Sequence, residues 1–112
     1  MAALHNLSMS YADFFDKILA KPAMYVGNCR IERIGAFMDG YIHAKREAGE
    51  RLEDDLYFGF TEWVAQRYKI RTSHNWVGII QFMSGSEASA FELTEKLWGE
   101  YKAARGESGK RT

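Results

Sequence analysis

Three histidines, one cysteine and two groups of carboxylates are the residues of this chain whose types could support chemistry. His5, His43 and His74 lie far apart, and none stands in a His-x-x-x-His or Glu-x-x-His spacing that would aim two ligands at one metal. With Cys29 as the single thiol, the pattern predicts no metal site and no cofactor, and the histidines read as surface or hydrogen-bonded structural groups. Asp13 with Asp16, or Glu53, Asp54 and Asp55 together, could be cast as paired carboxylates. Acid–base work by such a pair needs two environments that hold their pKa values apart. A pair in the first turn of a helix and a run in a charged loop do not promise that. The first complements the helix dipole and the second reads as a solvated segment. No phosphate loop is present, so the sequence predicts a protein that is not an enzyme.

The acidic run has another use. Contiguous exposed carboxylates beside aromatic rings would complement a basic partner surface, so Glu50, Glu53, Asp54, Asp55 and Tyr57 form the predicted partner-binding segment. Tyr25, in a corner, joins them, and with the exposed face of the second helix it is the next candidate. A different reading places a ligand pocket between helices, with Tyr25, Tyr41 and His43 as its polar groups. Trp63, Trp76 and Trp98 fall in register with apolar neighbours and are expected in the core.

These residues must be positioned by one compact domain. The 112 residues are 46% hydrophobic and 14% aromatic, ample material for a single core. Fifteen Lys plus Arg balance fifteen Asp plus Glu, so no global field draws in a polyanion and nucleic acid is not the expected partner. A lone cysteine fits a reducing compartment, with Cys29 read as small and partly buried. Residues 1–10 lack a basic region followed by an apolar run, and no apolar stretch nears the roughly 20 residues of a membrane span. The expectation is a soluble cytoplasmic protein with no membrane partner.

The pattern predicts an all-α fold, a compact bundle of four to five helices over residues 1–104. Ser10 and Asp13 open a helix over about Tyr11 to Ala20, with Phe14, Phe15, Ile18 and Leu19 on one face. The only proline, Pro22, ends it, and Gly27 tolerates positive φ at a corner in which Met24 is expected to be buried. Asn28 is the expected N-cap of a second helix reaching about Ala48, striped by Ile31, Ile34, Met38, Tyr41 and Ile42. Gly35 and Gly40 inside it imply close packing against another helix, and Gly49 ends it. A third helix is expected from about Tyr57 to Tyr68. Trp76 to Met83 fits a helix or a buried strand; helix is chosen because no second strand is evident to pair with it. Ser84 and Glu87 match a capping box for a last helix to about Ala104, and residues 105–112 read as a flexible tail.

Two family resemblances follow. Lys21, Pro22, Met24, Tyr25 and Gly27 are similar to a signature near the start of the ATPase domain of the gyrase B family. In that family the following helix carries a Glu and an Asn that serve ATP and magnesium, whereas Ile31 to His43 contains no Glu-x-x-x-Asn, so the likeness is one of turn chemistry. Over most of the chain, the same corner, then Phe37 to Ala44, Phe60 to Val64, Trp76 to Ile80 and Glu87 to Phe91, resembles small bacterial immunity proteins of polymorphic toxin systems. That resemblance implies a cytoplasmic protein that binds a cognate toxin domain and occludes its active site. Ala23 stands where the motif usually has glycine, so it implies no special backbone angle there.

Overall fold

The computed structural model describes residues 9–50, 55–71 and 74–110, with side chains described as far as residue 106. These residues form an all-α fold: α1 (Tyr11–Ala20), α2 (Pro22–Val26), α3 (Ile31–Glu47), a 3₁₀ turn (Leu56–Gly59), α4 (Phe60–Arg67), α5 (Trp76–Met83) and α6 (Glu87–Lys110). No strand occurs among the described residues.

Local chemistry sets most of the boundaries. Ser10 Oγ accepts from the Asp13 N–H at 3.0 Å and starts α1. Pro22 then opens α2 at its first position, where a missing N–H costs nothing. Gly27, at φ 87°, closes α2. The corner is thus a short helix of its own. Met24 is 71% exposed, against the expectation that it is buried. Only one side of so short a helix can face α1 and α3, and Tyr25 takes that side by packing on Phe14 and Phe37. Cys29, expected to be partly buried, is exposed in the loop that follows.

Arg30, rather than Asn28, is the residue flanking α3; Asn28 Oδ1 accepts the Arg30 N–H at 3.0 Å and shapes the approach. Ile31, Ile34, Met38 and Ile42 bury one stripe of α3. Of its two glycines, Gly35 is packed against Val77 of α5 whereas Gly40 faces open space. The close packing therefore exists at the first only. At the far end Gly49, φ 90°, donates to Arg46 O, and the Glu50 N–H donates to Lys45 O, which together satisfy two orphan carbonyls.

The segment Trp76–Met83 is helical, as chosen. Asn75 Oδ1 accepts from the Val77 and Gly78 N–H groups, and Trp76, Ile79 and Ile80 are buried at helical spacing. Ser84 does not cap α6: its hydroxyl donates to Ile80 O, while Ser86 Oγ accepts from the Ser89 N–H at 3.1 Å. The backbone of α6 continues to Lys110, past the expected end at Ala104 and into the residues read as a tail. Ala103, Ala104 and Arg105 favour helix, and no proline stops its propagation.

The core is aromatic. Phe15 meets Trp98 edge to face at 4.8 Å and Tyr57 at 5.0 Å, and Phe60 meets Trp98 at 5.1 Å. Trp76 and Trp98 are buried as expected, and Trp63 is half-buried beside Tyr101. Asp16 completes this core by accepting the Trp98 indole N–H at 2.6 Å and Lys102 Nζ at 2.7 Å. The role left to Asp16 is structural.

Candidate functional site

Residues advance by about 100° around an α-helix, so the buried stripe of α3 has two edges. Phe37, Tyr41 and Lys45 follow one, and Asp39, His43 and Arg46 follow the other. Each edge borders a cleft.

At the first edge, four rings form an outer aromatic ledge. Phe14 of α1 stacks on Tyr41 at 4.1 Å and meets Tyr25 at 5.7 Å and Phe37 at 5.9 Å, and Tyr25 meets Phe37 at 6.3 Å. Phe14, Tyr25 and Tyr41 are half-buried, and Phe37 and the neighbouring Met24 are exposed. A groove of about 340 Å³ runs along the ledge, with Lys17 and Lys45 at its rim. Lys45 Nζ lies 5.5 Å from the Tyr41 ring centre and 3.3 Å from Glu50.

At the second edge lies a cleft of about 390 Å³ between α3, the 3₁₀ turn and the start of α5, lined by Asp39, His43, Arg46, Tyr57, Thr61 and Asn75 among others. Trp76 ties its inner wall together: its indole N–H donates to the Tyr57 hydroxyl at 3.1 Å, and its backbone N–H donates to Thr61 Oγ1 at 3.1 Å. Burial pushes the Tyr57 phenol up to about 12; the Trp76 bond opposes this, and the nearby charges of Asp39 and Asp55 add to it. The Arg46 guanidinium carbon lies 4.9 Å from the Phe58 ring centre, and no ion pair holds it among the described residues.

The structure treats the predicted partner-binding residues unequally. Tyr25 is on the ledge. Glu50 is half-buried and paired with Lys45. Asp55 is engaged inward, accepting the Tyr57 N–H at 2.7 Å and the Tyr11 N–H at 2.6 Å, so it caps the 3₁₀ turn and anchors α1. Tyr57, expected to be exposed, is only 7% exposed, because the turn that Asp55 caps rotates its ring onto Phe15. Glu53 and Asp54 lie outside the described residues, as does His5. The predicted pocket of Tyr25, Tyr41 and His43 is divided: the two tyrosines share the first groove, and His43, about 200° round α3 from Tyr41, faces the second. His74 borders a third, apolar recess with Ile70, Ile79 and the exposed Phe82. Asp39 and Arg46 were not singled out from the sequence, although their spacing with His43, four and then three residues apart, is a polar stripe that could have been read.

Among the described residues no three His, Cys, Asp or Glu side chains converge as a metal site, and no helix is long and apolar enough to cross a membrane. The fold and its surfaces define an all-α protein with one helix walled by two chemically different clefts. Compared with known protein families, curated proteins and solved structures, the chain matches none.

Proposed function

We propose that this protein acts by docking on another protein, and that the partner is a cognate bacterial toxin domain whose active site it occludes. One observation carries the docking reading: the Phe14, Tyr25, Phe37 and Tyr41 ledge, whose rings brace one another outside the core while Met24 and Phe37 stay exposed. Braced aromatic side chains lose little entropy on binding, and aromatic and methionine groups are enriched where interfaces concentrate their energy. Lys17 at the rim suits a partner with acidic groups around an apolar centre. The toxin identity rests on the resemblance of the chain to immunity proteins. With Glu50 paired and Asp55 engaged in capping, the ledge serves better than the acidic segment as the docking face.

The test pairs the protein with the toxin domain encoded beside its gene, in a growth-rescue assay and by surface binding kinetics. Met24→Ala should leave the urea midpoint almost unchanged, because its side chain is exposed, whereas Phe37→Ala, which also loses its contacts with Phe14 and Tyr25, should lower it modestly; each should accelerate dissociation about tenfold or more. Wild-type binding with neither variant impaired would remove the interface from the ledge. A neighbouring product that is neither toxic nor bound would overturn the immunity reading.

A further inference from the structure

The second cleft carries a different binding chemistry. Its polar groups come from three elements. Asp39, His43 and Arg46 stand along one edge of α3, Tyr57 comes from the 3₁₀ turn, and Asn75 and Trp76 come from the start of α5. Tyr57 is only 7% exposed, and its hydroxyl accepts the Trp76 indole N–H at 3.1 Å. The charges that act on it are the carboxylates of Asp39 and Asp55, so this end of the cleft favours a cation over an anion, and the phenol oxygen keeps a lone pair for an N–H donor. Arg46 rests over the Phe58 ring and pairs with no carboxylate among the described residues, and Asp39 has neither a hydrogen bond nor an ion pair there.

Two opposite charges seven residues apart on one helix stand about 10 Å apart along its axis. A ligand of a single sign would satisfy only one of them. Ile42, Phe58 and Trp76 supply an apolar wall beside them. We propose that this cleft binds a small amphoteric molecule. Its carboxylate pairs with Arg46, its short apolar body lies against Phe58 and Trp76, and its ammonium group meets Asp39 and donates to the Tyr57 hydroxyl oxygen. The cavity of about 390 Å³ accommodates a molecule of that size. This site is on the opposite edge of α3 from the aromatic ledge, so it stands whether or not the docking reading does.

The probe is 6-aminohexanoate, with hexanoate and hexylamine as the anionic and cationic halves. The Trp76 indole N–H reports directly, since it donates to the hydroxyl that the ligand engages, and Trp63 and Trp98 serve as internal controls in the same nitrogen–proton spectrum. The amphoteric probe should shift the Trp76 indole signal saturably at millimolar concentration, about tenfold more tightly than either half. Asp39→Asn and Arg46→Gln, both exposed substitutions, should each weaken it by about tenfold, and Tyr57→Phe should weaken it with a smaller loss. A Trp76 signal that does not move overturns the site. Equal binding of hexanoate, with Asp39→Asn indifferent, overturns the amphoteric assignment in favour of a simple anion site.

Discussion

Gly35 and Gly40 make a matched pair of perturbations five residues apart on α3. Replacing either by alanine in a helix interior should gain up to about 1 kcal/mol from the lower backbone entropy of the unfolded chain. At Gly40 nothing lies within 4 Å of the added Cβ, so Gly40→Ala should realise that gain. At Gly35 the added Cβ would sit 2.5 Å from Val77 Cγ2, with Trp76 Cζ2 at 3.8 Å. Real carbon contacts do not close to that distance. Valine on a helix has one strongly preferred χ1, so it cannot swing aside cheaply. Either Val77 leaves its rotamer or α5 moves off α3, at an overpacking cost of about 1–3 kcal/mol. The two contributions sum to a net loss of about 1 kcal/mol for Gly35→Ala, and the two variants should differ by about 2 kcal/mol. Urea unfolding followed by tryptophan fluorescence measures both, with an unchanged slope showing that the unfolded state is not what moved. Adding Val77→Ala to Gly35→Ala should restore most of the helix-propensity gain, which assigns the cost to that one contact. Gly35→Ala as stabilising as Gly40→Ala would refute the close approach of α3 and α5. The second cleft would lose its geometry with it, since α5 brings Asn75 and Trp76 to Asp39 through this contact.

Two further outcomes test the interior chemistry. The Tyr11 hydroxyl is buried with no partner in the described structure, so Tyr11→Phe should leave stability unchanged or raise it by up to about 1 kcal/mol in the same urea assay; a clear loss would reveal a hydrogen bond at that oxygen. For Tyr57 the sign follows from its folded pKa lying above the ordinary 10.0. Its contribution is fully present below pH 10, where both states are protonated. It is lost as pH rises from 10 to about 12, because only the unfolded chain ionises there. The whole step is worth up to about 3 kcal/mol. Unfolding midpoints of wild type and Tyr57→Phe across that window should converge as pH rises, and parallel curves would contradict the buried phenol.

What the sequence made legible, and what it did not, divides along a physical line. Where periodicity and a local signal agree, the boundaries could be read closely: Ser10 and Ile18 to α1, Gly49 to the end of α3; Trp76 to Met83 is open to helix or strand on periodicity alone, and the Asn75 cap that starts α5 was not singled out from the sequence. These signals act within a few residues of the chain, and no distant contact opposes them. Side-chain burial in short or acidic segments could not be read, because it depends on partners far away in sequence. Met24 and Tyr25 are both large and apolar; which of them faces inward is settled by Phe14 and Phe37, on two other helices. Asp55 sits in a run of charges that reads as solvated, yet its carboxylate is turned inward by the Tyr11 N–H, 44 residues away. The same long-range bond explains why Tyr57 is a buried residue rather than an exposed interface ring. Once Asp55 holds both the start of α1 and the 3₁₀ turn, the Tyr57 ring is packed on Phe15, its hydroxyl accepts from Trp76, and both residues line the cleft. A residue read as part of an outward acidic patch is in fact the clamp that forms an inward-facing polar site.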